Sequence, residues 1–116
     1  MNYRTVLHAM VLAFMFGSTS AARVAAHHDE GCPELIIEAF GETAHNACTA
    51  SYCESRWNPN ARGAAGERGL YQIHPSWGAR STYDPEQNVM FALQLSRGGQ
   101  QWSGHWVWCS REYGLP

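Results

Sequence analysis

Cys53-Glu54-Ser55-Arg56-Trp57-Asn58-Pro59-Asn60-Ala61, followed by Gly69-Leu70-Tyr71-Gln72-Ile73, is the stretch on which the reading of this chain turns. Pro59 biases Asn58 toward extended geometry, so a helix arriving from the N-terminal side ends near Trp57. Glu54 then sits in a last helical turn, held by a rigid element yet reachable from a cleft. It points toward a glycine-led segment, Leu70 to Ile73, that reads as a brief strand or a helix entry and could border a polymer. A carboxyl group walled by Trp57, Leu70 and Ile73 is poorly solvated, which raises its pKa. Such a group stays protonated near neutral pH and can give its proton to a leaving oxygen. That is the requirement for cutting a glycosidic bond by general acid catalysis.

Outward from this stretch the pattern is mainly helical. Pro33 suits a first turn, and Leu35, Ile36, Ala39 and Phe40 form one apolar face of a short helix over 34–40, stopped by Gly41. A second helix is expected from about Glu42 to Arg56. Its stripe of Ala44, Ala47, Cys48, Ser51, Tyr52 and Ser55 is mostly small and permits close helix contact. Residues 58–69, rich in Gly, Ala, Asn and Arg, read as a loop or short hairpin. Asp84-Pro85-Glu86-Gln87 is a helix start, with Asp84 as N-cap, Pro85 in the first turn and Gln87 completing a capping box. That helix should run to about Arg97 with Val89, Ala92, Leu93 and Ser96 inward, before Gly98-Gly99. No internal repeat, heptad or second domain is visible.

The N-terminus reads as a secretory signal peptide over 1–26. A thin positive start is followed by an apolar stretch from Val6 to Phe16 and then small residues ending in Val24-Ala25-Ala26, with Ala21 or Ala22 as an alternative cut. The apolar stretch is about 11 residues, against the roughly 20 that a membrane span requires. A short polar leader, 27–33, precedes a single domain at 34–116. The exported part carries six arginines and no lysine against ten acidic residues, a net charge of about −4. That balance argues against a nucleic-acid partner. A domain this small has a limited core and commonly needs staples. All four cysteines, at 32, 48, 53 and 109, lie in the exported part, where disulfides persist, and they allow three connectivities.

Glu54-Ser55, the Trp-Asn-Pro-x-Ala continuation and Gly69-Leu70-Tyr71-Gln72-Ile73, in that order, resemble the lysozyme-like soluble lytic transglycosylase family. The likeness extends to its small secreted actinobacterial and phage-type members, including resuscitation-promoting factors, and runs from about Glu34 to Cys109. It implies a lysozyme-like α+β fold, mostly helical, with a minimal hairpin bordering a groove and disulfide staples. It implies Cys53–Cys109, which closes a loop worth roughly 4 kcal/mol in the chain-entropy model, and with that pair assigned, Cys32–Cys48. The implied activity is cleavage of the β-1,4 bond between N-acetylmuramic acid and N-acetylglucosamine in peptidoglycan, with Glu54 as acid and then base. No metal or organic cofactor is implied. The expected protein is a monomer, secreted or in the cell envelope, acting on peptidoglycan glycan strands and free of the membrane once the signal is removed.

By the same resemblance Ser55 follows the catalytic Glu and would order the helix end or touch a sugar. Gln72 would line the cleft, and Tyr71, where relatives often carry Met or Phe, is a cleft wall or a binder. Glu67 occupies the place, two residues before the glycine, where animal c-type lysozymes carry a second carboxylate. It is a possible partner for an oxocarbenium-like transition state or a solvated loop charge beside Arg68. The late Ala-Tyr-Asn motif of the family is absent, and nothing in the spacing selects Tyr83 or Tyr113 as a replacement. Trp57 and Trp77 flank the expected cleft as candidate sugar contacts, whereas Trp106 and Trp108, beside a cysteine, read as core. His105 and Cys109 stand at i, i+4, but no zinc-site spacing accompanies them. A hydrolytic lysozyme, a non-catalytic wall-binding module and a chitin hydrolase on the same scaffold are the alternative readings.

Overall fold

The computed structural model describes residues 30–116, and among these lie four short helices and two 3-10 segments, the second of them, Pro75–Arg80, kinked at Gly78. The expected signal peptide and residues 27–29 of the leader lie outside the described residues. Helix α1, Glu34–Phe40, opens after Pro33 and stops at Gly41 (φ 57°), as its sequence dictates. A 3-10 turn over Gly41–Thr43 then leads into α2, Ala44–Ser55. This helix begins two residues later than expected. Helix α3, Pro85–Leu95, starts as a capped helix should, with the Gln87 N–H donating to Asp84 Oδ1 at 2.9 Å. It ends at Leu95 rather than Arg97. Helix α4, Val107–Tyr113, closes the chain before Gly114.

The fold is mainly helical and lysozyme-like, with very little strand. The expected hairpin is present only as two isolated antiparallel bridges, Arg62 with Arg68 and Arg68 with Ile73. Arg68 and Ile73 exchange both backbone hydrogen bonds, at 3.1 and 3.0 Å, and so close a tight loop over Gly69–Gln72.

The core follows the apolar faces. Ile36 and Phe40 of α1, Ala47 of α2 and Val89 of α3 are buried around Tyr71 and Trp102. Tyr71 stacks on Trp102 at 5.7 Å, and Trp102 lies 4.9 Å from Trp106. Both indoles satisfy their N–H groups on carbonyls, Trp102 on Gly99 and Trp106 on Tyr71, as burial demands. Trp108 corrects the sequence reading: it is 68% exposed. Residues two apart at the start of a helix face away from each other, so Trp106 and Trp108 cannot both point inward.

Two disulfides staple α2 from opposite sides. Cys32–Cys48 ties it to the approach to α1, and Cys53–Cys109 ties it to α4. The end of the expected leader is therefore fastened, since Cys32 is buried and Gly31 lies against the Trp57 ring.

Candidate active site

Helix α2 ends because Arg56 and Trp57 both adopt left-handed conformations, with φ of 54° and 61°. The chain then turns on Asn58, whose Oδ1 accepts from the Asn60 N–H and whose carbonyl accepts from the Ala61 N–H. This turn carries Ala61 back to where its carbonyl meets the Gly69 N–H and the Gln72 side-chain amide, at 2.9 and 3.0 Å. The Trp-Asn-Pro-x-Ala motif is thus the hinge that brings the Gly69–Ile73 strap beside the last turn of α2.

The strap has almost no ladder to hold it, and side chains do the holding. Ser51 and Ser55 both donate to the Leu70 carbonyl, at 3.0 and 2.8 Å. Asn88, fully buried on α3, accepts from the Tyr71 N–H and donates to the carbonyls of Arg68 and Thr82. Ser81 donates to the Ile73 carbonyl at 2.6 Å. Gly69 is required here twice over. Its φ is +80°, and a Cβ on it would collide with the Asn88 amide and the Thr82 carbonyl.

Glu54 opens onto a cavity of about 300 Å³ lined by Glu67, Gln72, Ile73, His74, Trp77, Leu95, His105 and Trp106 as well. Burial, and secondly the neighbouring Glu67 carboxylate, push the Glu54 carboxyl up to about 7. Both effects disfavour the charged form, so the group carries its proton over much of the neutral range. Its Oε1 lies 3.0 Å from Cys109 Sγ, which is disulfide-bonded to Cys53 and has no hydrogen to donate. Glu67 is steadied by the Ala65 N–H at 3.1 Å. Its carboxylate fills the space over Gly63, where any Cβ would overlap it. Trp77 stands 40% exposed at the cleft wall, edge-on to Phe91 and to His105.

Among the residues singled out from sequence, the structure brings Glu54, Glu67, Gln72 and Trp77 into one cleft, with Ile73 in its wall. It places three others elsewhere. Ser55 is buried, and its hydroxyl is committed to backbone carbonyls rather than open to a sugar. Tyr71 has no exposed surface, and its hydroxyl donates to the Ala47 carbonyl at 2.8 Å. Burial pushes that phenol well above its ordinary range, so it is a neutral core group. Trp57 turns away to stack edge-on against Tyr52 and donate to the Cys48 carbonyl. Leu70 likewise belongs to the core and offers the site only its carbonyl.

The structure adds His74, His105, Leu95 and Trp106 to the cleft. His74 follows directly on the motif, but no periodicity signals it, because Gln72 adopts a left-handed conformation (φ 48°) in the turn before it. Its Nδ1 accepts from the Ser76 N–H at 3.0 Å, which leaves the neutral ring's proton on Nε2. His105 gave no local signal; it is positioned by its contacts with Trp77 and Trp106. Neither Tyr83 nor Tyr113 lines the cleft.

A family model described as "Transglycosylase SLT domain" matches residues 49–111, more than half of the chain, from within α2 to within α4. No curated protein and no solved structure matches it.

Proposed function

Because this chain belongs to the transglycosylase SLT family, whose members cleave peptidoglycan, we propose that it is a lytic transglycosylase in which Glu54 is the acid and then the base. The observation that carries the reading is one carboxyl held near pH 7 in a cleft walled by Trp77 and Trp106. Glu54 would protonate the bridging oxygen between N-acetylmuramic acid and N-acetylglucosamine as the C1–O bond breaks. The acetamido oxygen of the substrate would cover C1 in the interval. The Glu54 carboxylate would then take the proton from the C6 hydroxyl while O6 attacks C1, leaving a 1,6-anhydro end and a reprotonated acid. No step needs a metal or an organic cofactor.

A hydrolytic outcome is favoured by one specific observation. Glu67 lines the same cleft, and its charge acts on Glu54. In that reading Glu67 steadies positive charge at C1 and water, not O6, completes the reaction. The protein's place is outside the cytoplasm, consistent with its two disulfides. We place it there as a secreted monomer released by cleavage after about Ala26. A wall-binding module without turnover is the reading to which a silent cleft would lead.

Mass spectrometry of fragments released from peptidoglycan, beside Glu54→Gln, tests this. Anhydro-ended muropeptides that vanish in the variant are expected. Reducing ends would make the protein a lysozyme and give Glu67 its role. No fragments from a folded, oxidised protein would overturn the enzymatic reading.

A further inference from the structure

The contact between Glu54 Oε1 and Cys109 Sγ, at 3.0 Å, is unusual chemistry for a half-buried carboxyl. Buried carboxylates ordinarily collect N–H or O–H donors, and each donor stabilises the ionised form. Here the contact is made by a sulfur whose valences are filled by carbon and by Cys53 Sγ. A free thiol at the same place would be a donor; a disulfide is not.

We propose that the Cys53–Cys109 disulfide is a positioning element for the acid: it closes one side of Glu54 with a surface that has no proton to give, and so reserves the carboxyl's own proton for the substrate. This rests on Glu54 being the acid, as argued above. The bridge couples two elements. Cys53 precedes Glu54 on α2, and Cys109 lies on α4, three residues after Trp106 of the cleft wall. The same covalent link therefore sets the distance between the acid and an indole of the groove.

The other groups around Glu54 do not supply the missing donor. The 62–68 turn brings Glu67, a like charge. His74 and His105 line the same cavity, and each makes its own contacts with Ser76 or with the indoles. Arg56, at the end of α2, lies over the Tyr52 ring, and Arg68 over that of Tyr83. The charged residues of α4, Arg111 and Glu112, are exposed.

The test compares Cys53→Ala/Cys109→Ser with Cys53→Ala/Cys109→Ala in the full-length protein. The Glu54 side-chain carbon is followed by NMR against pH, together with the pH profile of muropeptide release. A serine hydroxyl at 109 can donate to Oε1, so the Ser variant should titrate about one pH unit below the Ala variant. Its activity should fall away at correspondingly lower pH. Coincident titrations would overturn the proposal. Should the Ser variant not fold, reduction of the wild type decides the matter, because a free Cys109 thiol can donate to Oε1. The Glu54 titration should move down on reduction and return on reoxidation, and a titration that does not move would overturn the proposal. The titration reads Glu54 whether or not the protein turns over. Separated titrations in the variants, with no muropeptide release by the wild type, would therefore sink the acid's assignment while supporting the disulfide's effect.

Discussion

The last turn of α2 and the Gly69–Ile73 strap meet at the Leu70 carbonyl and are held by opposite means. Helix α2 is regular and is stapled by disulfides at Cys48 and Cys53. The strap has one pair of ladder bonds, and five side chains, Ser51, Ser55, Ser81, Asn88 and Trp106, hold its Leu70, Tyr71 and Ile73 backbone groups. A covalent frame resists change as a whole, whereas a segment clamped by five separate side chains can be loosened one bond at a time. The acid sits on the framed element, and the groove's inner wall sits on the clamped one. Chemistry and groove shape should therefore separate under mutation.

The sharpest separation is Glu54→Gln. Loss of the acid should reduce turnover by about a thousandfold or more, measured as muropeptide release, with the strap's contacts unchanged. Stability should move the other way, with a sign that follows from the raised pKa. The fold disfavours the Glu54 anion, so the wild type is at its best relative to the variant below about pH 4.5. It loses ground as pH rises toward about 7. Thermal unfolding of both proteins across that window checks the sign; a wild type that gains on the variant as pH rises would mean the carboxylate is stabilised, not penalised.

Asn88→Ala attacks the clamped side. It leaves the Tyr71 N–H and the carbonyls of Arg68 and Thr82 without this partner in a fully buried place. The expected cost is about 3 kcal/mol, read from denaturant unfolding. Asn88→Asp refines the result. It keeps an oxygen for Tyr71 but turns a donor into an acceptor against two carbonyls, so it should be no better than alanine. A cost within a few tenths of a kcal/mol for alanine would mean the strap is held by packing alone.

How much of this could be read in the sequence differs between the two regions for the same physical reason. Helix periodicity, Gly41, Pro59 and the Asp84 cap are local signals, and they located α1, α2 and α3 to within about two residues, the ordinary uncertainty of helix ends. Placing Glu54 at a helix end needed only Pro59. The strap's environment is not local. Asn88 lies 17 residues from Tyr71, and Trp106 lies 35 residues from it. No spacing rule converts a mid-helix asparagine into a clamp on a distant backbone. The motif leaves Ser55 between ordering the helix end and touching a sugar, and Tyr71 between cleft wall and binder. In the structure the motif works in part as architecture, with Ser55 fixing Leu70 and Tyr71 filling the core. His105 was illegible because its position depends on Trp77, almost thirty residues away.

The two serines on Leu70 test how the clamp shares its load. Ser51→Ala and Ser55→Ala should each cost about 1 kcal/mol, because the carbonyl keeps the other donor. The double variant should cost more than the sum, since a buried carbonyl then loses both. A double-mutant cycle on unfolding free energies measures the excess. Simple additivity would mean that the two hydroxyls act independently, and single costs near zero would mean that the strap does not lean on α2 at this point.

The smallest effect crosses between the regions. Glu67 is the second cause of the raised Glu54 pKa, after burial. Glu67→Gln removes a like charge while leaving an amide that can still accept from the Ala65 N–H. The Glu54 titration should therefore move down, by less than the burial effect that remains, and the alkaline limb of activity should move with it. Gly63→Ala reaches the same carboxylate from behind: its methyl group would displace the Glu67 side chain, and crowd the Gln72 amide beside it, without changing charge. If Glu67 acts only through its field, Gly63→Ala should change the pH profile slightly and leave the products alone. If Glu67 steadies the charge at C1, both variants should slow turnover at every pH, and the ratio of anhydro to reducing ends should shift toward the anhydro product.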